Sequence, residues 1–169
     1  EPRTADPVIL KLLTDIGIDL SRFDTAFDQG FYGRHGLGAT TYFNARHFGR
    51  DAVVHHPFCN YYNYIAGLPG AAVSDDQAVA AAPLSAEGKA QLLRVLKGGV
   101  HLLDVPTDEL EDHLYSHNYF DYLKHTLGVN DPGVLRMARH SGVDWSNAGT
   151  ELLSIGEAQE CGALGFAPE

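Results

Sequence analysis

The chain is poor in the residues that usually announce a chemistry. Its two cysteines, Cys59 and Cys161, are far apart and in no CxxC spacing, so neither a disulfide framework nor a zinc site is indicated. Positive charge is also scarce. Lys and Arg number 12 against 22 Asp and Glu, a formal charge of −10, and the cations are scattered along the chain. Phosphate binding needs them clustered, so the sequence argues against a nucleic-acid partner, while cationic substrates and basic partners stay electrostatically allowed. No apolar run approaches the roughly 18 residues of a membrane helix, and no basic-then-apolar leader is visible. The first residue is Glu1 rather than Met, which leads us to expect a processed or excised piece, soluble in either cytoplasm or periplasm.

What is present is the composition of a folded protein. Apolar residues make up 44% and charged residues 20%, far from the low-hydrophobicity, high-charge signature of disorder. At 169 residues the expectation is one domain, or one excised segment, spanning 1–169.

Helical signals dominate. In residues 7–16, Ile9, Leu12, Leu13 and Ile16 recur on one face and Gly17 supplies a stop. Asp19 or Ser21 can cap a short second helix carrying Phe23 and Phe27. After a glycine-rich stretch, the Thr- and aromatic-rich run 40–48 and the apolar run that follows predict a β-hairpin from about Thr40 to His56, turning at Phe48-Gly49-Arg50-Asp51. Residues 69–84, rich in alanine, read as a candidate internal linker or a short surface helix. Beyond them, caps at Ser85, Thr107 and Asn118 and the Asp131-Pro132 pair each open a helix, and a last helix is expected over about 150–158. The predicted fold class is therefore mainly α with a small β-hairpin (α+β), without a Rossmann unit.

No motif completes a catalytic site. Gly36-Leu37-Gly38 invites comparison with a dinucleotide fingerprint, but a helix precedes it, a strand-like run follows it, and Thr41 stands at the third glycine position. His113 and His117 have the i, i+4 spacing that brings two imidazoles to one metal, which would make a small metal-binding enzyme the second alternative function. The intervening Leu114, Tyr115 and Ser116 include no glutamate base, and no third ligand is identifiable, so no metal site is assigned. His55 and His56 should point to opposite faces of a strand end. His140, Ser141 and Asp144 lie close in sequence without a Gly-x-Ser-x-Gly elbow. The aromatic cluster Phe58, Tyr61, Tyr62 and Tyr64 is the candidate substrate pocket, because tyrosines can line an apolar cleft, offer hydroxyls and hold a cation on their ring faces.

Two runs carry a resemblance. DIGIDLSRFDTAFDQGFY (15–32), followed by TTYFNARHFGRDAVV (40–54), resembles a region of the flavin-dependent amine oxidoreductases that are spermidine dehydrogenase-like. HNYFDYLKHTLGVNDPGVL (117–135) is similar to that family's helix with an aromatic-then-Tyr-Leu pattern, a Gly-Val turn and an Asp-Pro start. The resemblance implies a helical substrate-side segment lying between the two FAD-binding parts of a parent protein. Both the GxGxxG unit and the flavin-contacting segment of that family are absent from this sequence, so FAD would be bound by the remainder of the parent chain. The implied parent reaction is hydride transfer from a carbon next to an amine to FAD, giving an imine that water hydrolyses. The implied partners are that flavin-binding remainder and a small, polyamine-like amine. Haem occurs in some relatives, but no position here matches a haem motif, and no catalytic residue transfers to a numbered position. The alternative expectation is a non-enzymatic helical binding module.

Overall fold

The computed structural model describes residues 6–26, 28–59, 68–69, 71–141 and 147–166. About 51% of the structure is helical, in nine helices among the described residues, with one two-stranded antiparallel hairpin, so the fold is mainly α with a small β element. No helix among the described residues is long and apolar enough to cross a membrane.

Helix α1 (Pro7–Asp15) starts where Asp6 accepts the Val8 N–H, with proline at the first position, and Gly17 turns the chain out at φ 81°. A 3-10 turn (Leu20–Asp24) capped by Asp19 and the single-turn α2 (Phe31–Arg34) follow. None of residues 6–22, 25–26 and 28–38 is buried, and α1 leaves Val8, Ile9, Leu12 and Ile16 in solvent, with Val8 73% and Ile16 63% exposed. The apolar face is present as the periodicity requires, with Leu13 half-buried and Ile9, Leu12 and Ile16 exposed.

The hairpin pairs β1 (Thr41–Phe43) with β2 (Ala52–Val54), Tyr42 opposite Val53. Phe43 and Val54 turn into the core, whereas Tyr42 and Val53 face solvent. Its connection is longer than the expected turn. Residues 45–48, expected to extend the first strand, instead form α3 (Ala45–Phe48), because the Asn44 side chain accepts the His47 N–H and Gly49 closes the turn at φ 78°.

The candidate linker 69–84 contains a packed helix. In α4 (Asp75–Ala81), Ser74 and Gln77 form a reciprocal capping box, and Ala78, Val79 and Ala82 are buried. Helix α5 (Ala86–Leu96), capped by Ser85, lies beside it and buries Leu92 and Val95. Helix α6 (Leu110–Ser116) begins later than the Thr107 cap predicts, with Glu109 in the cap position and no side-chain cap bond.

Asn118 opens α7 (Tyr119–Asp121) by accepting the Phe120 and Asp121 N–H groups, and the helix widens into a π-helical turn over Tyr122–Thr126. Asp131 caps α8 (Pro132–His140). A 3-10 turn (Thr150–Leu152) leads to α9 (Ile155–Glu160), opened by a second capping box between Ser154 and Glu157. The segment ahead of α9 pairs with the α6–α7 junction, as Tyr119 N–H donates to Leu153 O at 3.0 Å and Ile155 N–H to His117 O at 2.9 Å.

The core runs from Phe43 and Val54 under α4, α5, α7, α8 and α9. Gln91, 1% exposed, is its main polar member and is fully occupied: Oε1 accepts the Asn130 and Asp131 N–H groups at 2.8 Å, and Nε2 donates to Glu87 and Asn130. This side chain ties α5 to the start of α8.

Candidate functional site

Of the four aromatic pocket candidates, Phe58 is described, and Tyr61, Tyr62 and Tyr64 lie outside the described residues. Phe58 is 3% exposed and packs in the core, its ring edge-on to Phe43 with centroids 6.1 Å apart. Its backbone takes the left-handed conformation, φ 58°, which is unusual for a large side chain.

The reason lies in the preceding histidine pair. The strand end separates them as alternation predicts, with His55 exposed and His56 buried. His56 Nδ1 accepts the Phe58 N–H at 2.9 Å, and Nε2 lies 3.0 Å from Asp75 Oδ1. A backbone N–H only donates, so the accepting Nδ1 carries no proton and Nε2 donates to the carboxylate. An Asp–His pair of this kind orients a general base when one ring nitrogen is free. Here both nitrogens are in use, and the pair fastens the hairpin exit to the first turn of α4. Its signal was divided in the sequence between the His55-His56 dipeptide and the Ser74-x-x-Gln77 capping pattern that puts Asp75 at a helix start.

His113 and His117 do come together. Their rings stack with centroids 3.8 Å apart and planes 17° apart. Near-parallel rings direct their lone pairs side by side rather than onto one ion, and His117 Nδ1 is already 3.0 Å from the His113 carbonyl and 3.0 Å from Ser116 Oγ. Residue 117 has left the helix for an extended conformation, which breaks the i, i+4 geometry the spacing suggests. Burial first, and the neighbouring His117 second, lower the His113 pKa. Among the described residues no group of three or more His, Cys, Asp or Glu could hold a metal ion.

The Ser141 hydroxyl is likewise committed, donating to Ala138 O at 3.1 Å and accepting the Leu164 N–H at 3.1 Å. His140 is exposed in the last turn of α8, and Asp144 lies outside the described residues. The Gly36–Gly38 loop sits between α2 and β1, and no helix N-terminus follows it to meet a pyrophosphate. An open hollow lined by Gly17, Ile18, Asp19, Arg22, Thr25 and Ala26 lies wholly on the exposed N-terminal stretch.

A second polar centre lies at the far end of the core. Tyr122 Oη accepts the Gly99 N–H at 2.8 Å and donates to Gly165 O at 3.1 Å, while its ring stacks on Phe166 at 5.4 Å. Tyr119 donates to Leu164 O. Burial pushes the Tyr119 hydroxyl well above the ordinary phenol range and that of Tyr122 up to about 12, so both remain protonated donors at neutral pH. These two phenols hold residues 164–166 against α7 and the π turn. They are structural clasps that the sequence left unmarked among eight tyrosines.

No family model matches the chain, and no curated protein matches it in sequence.

Proposed function

We propose that this chain is the substrate-side helical segment of an FAD-dependent amine oxidoreductase, acting on a small, polyamine-like amine and completed by the flavin-binding remainder of its parent. The observation that carries the reading is the stretch 6–38. It holds a capped amphipathic helix whose apolar residues Val8, Ile9, Leu12 and Ile16 are exposed, and none of residues 6–22, 25–26 and 28–38 is buried. A soluble protein seldom leaves such a face bare, so a covering surface supplied by other sequence accounts for it. The first run of the family resemblance, 15–32, falls in this stretch.

In this reading FAD supplies the redox chemistry, accepting hydride from the carbon next to the amine. The residues described here contribute packing and shape. No chemical step is assigned to them, since the polar side chains brought together in the interior are spent on holding backbone groups and one another.

The test is to purify the chain alone and titrate it with FAD, then to express it together with the coding sequence on either side. The expected result is no stoichiometric flavin binding by the chain alone and a flavin absorbance spectrum for the longer protein, with a strand-GxGxxG-helix unit encoded upstream. Stoichiometric FAD binding by the isolated chain, or flanking sequence without such a unit, would sink the proposal.

The exposed face of α1 also favours a second reading, a non-enzymatic module that docks an amphipathic helix into a partner groove. A stable isolated monomer that retains a specific partner lacking any flavin domain would select it.

A further inference from the structure

We propose that His56 is an acid-sensitive latch, in which a second proton on the imidazole releases the left-handed turn at Phe58 and with it the exit of the hairpin. Both ring nitrogens are engaged, and they play opposite roles. Nδ1 accepts the Phe58 N–H at 2.9 Å, and Nε2 lies 3.0 Å from Asp75 Oδ1. An imidazolium carries hydrogen on both nitrogens and accepts no bond. The Nε2 contact survives the added proton and gains an opposite charge, whereas the Nδ1 contact becomes two donors facing each other. The charged ring therefore has to leave the Phe58 N–H.

The place of that bond makes its loss consequential. Phe58 holds a backbone φ of 58°, which a large side chain keeps only where its surroundings impose it. Its buried ring lies edge-on to Phe43 at 6.1 Å and tilted against the His56 ring at 4.7 Å. Without the acceptor, a buried N–H is left unsatisfied in a strained conformation. A return of the backbone to negative φ relieves both, and it carries the ring away from Phe43.

The groups around the ring set the direction of the response. Asp75, in the first turn of α4, is the charged group bonded to the ring among the described residues, and its half-exposed side chain gives a proton a route from solvent. His55 lies on the opposite, exposed face of the strand end, and Asp76 follows Asp75 in solvent. Thr41, from β1, donates its hydroxyl to the His56 carbonyl at 2.8 Å and carries no charge. The closed latch binds one proton fewer than the open one. Opening is therefore favoured as pH falls through the histidine range, by up to about tenfold per pH unit.

The test takes the full chain from about pH 8 to about pH 5 at a temperature where its helical circular dichroism is retained. Labelling with ¹⁵N-histidine reports both ring nitrogens, and amide exchange reports Phe58. At the upper pH, His56 is expected as the tautomer with hydrogen on Nε2 alone. As the second proton enters, protection of the Phe58 amide, corrected for intrinsic exchange, should fall at least about tenfold while Leu92 in α5 keeps its protection. Asp75→Asn retains an acceptor for Nε2 but not the charge that favours the imidazolium, so it should move the loss of protection to lower pH. A contact that only braces the fold would instead lower protection equally at every pH. The proposal is overturned if the ring takes its second proton with Phe58 protection unchanged, if His56 stays neutral until the whole protein unfolds, or if Asp75→Asn leaves the midpoint where it was.

Discussion

His56 and Asp75 lie 19 residues apart in sequence, and their side chains meet at 3.0 Å beneath the hairpin, with the other imidazole nitrogen holding the Phe58 N–H at 2.9 Å. The pair fixes where the chain leaves β2 and enforces the left-handed turn at Phe58. A left-handed bulky residue costs on the order of 1–3 kcal/mol, so it persists only where its surroundings over-determine it.

Substituting His56→Leu removes both bonds and strands the buried Phe58 N–H. The expected loss is about 2–3 kcal/mol, seen as a lower urea midpoint with an unchanged slope. Asp75 has a half-exposed side chain, so Asp75→Asn should lose less than about 1 kcal/mol. Equal losses for the two variants would show that the carboxylate, rather than the Phe58 acceptor, carries the fastening.

Gln91→Leu keeps an apolar stem but leaves the Asn130 and Asp131 N–H groups without their acceptor at the entrance to α8. We expect about 2–4 kcal/mol of destabilisation, with amide exchange in the first turn of α8 accelerated more than in α9. Uniform acceleration across both helices would contradict a local tie.

Alkaline pH should unfold the protein through its buried phenols. Tyr122 has a folded-state pKa raised to about 12 from 10.0, and burial raises that of Tyr119 well above the same ordinary value. In the unfolded chain both ionise near pH 10, so below that pH their contribution is intact. Stability then falls as pH rises from about 10 through 12, because the unfolded state releases protons that the folded state retains. Absorbance at 295 nm and circular dichroism followed together should show two tyrosines ionising only as the helical signal is lost. If every tyrosine titrates near pH 10 while the fold persists, the burial argument fails.

Helix α1 and helix α5 should respond oppositely to the loss of a leucine. Leu12 is 52% exposed, and Leu12→Ser should change the stability of the isolated chain by no more than about 0.5 kcal/mol. Leu92 is fully buried, and Leu92→Ala should lose about 2–5 kcal/mol. Thermal melting of the two variants measures both. A large loss from Leu12→Ser would mean that α1 is packed in solution, removing the main support for a missing covering surface.

Local signals were legible to the extent that they are local. The Asp131 cap with its following proline, the stop at Gly17 and the Ser85 cap act through bonds within a few residues, and those helix ends fall where the bonds dictate. The hairpin's position was legible, but its connection was not. Period-two alternation in 40–48 continues formally through Arg46, while the Asn44 cap and Gly49 draw 45–48 into a helical turn. The alanine-rich 69–84 read as a linker or a short surface helix, and its small side chains let α4 lie close against α5.

The candidate site was less legible, because side-chain pairing is not a local property. The i, i+4 spacing of His113 and His117 brought the rings together but could not tell that they would stack.

The amino-acid sequence by itself determined the helical class, the caps and stops, the apolar face of α1 and the acidic balance, since propensity, periodicity and charge are additive along the chain. Only the tertiary structure decided which polar groups are spent and which remain free. A buried histidine, glutamine or tyrosine must find its partner wherever packing places one, and a surface cation stays unpaired only if the fold turns the nearest carboxylates elsewhere.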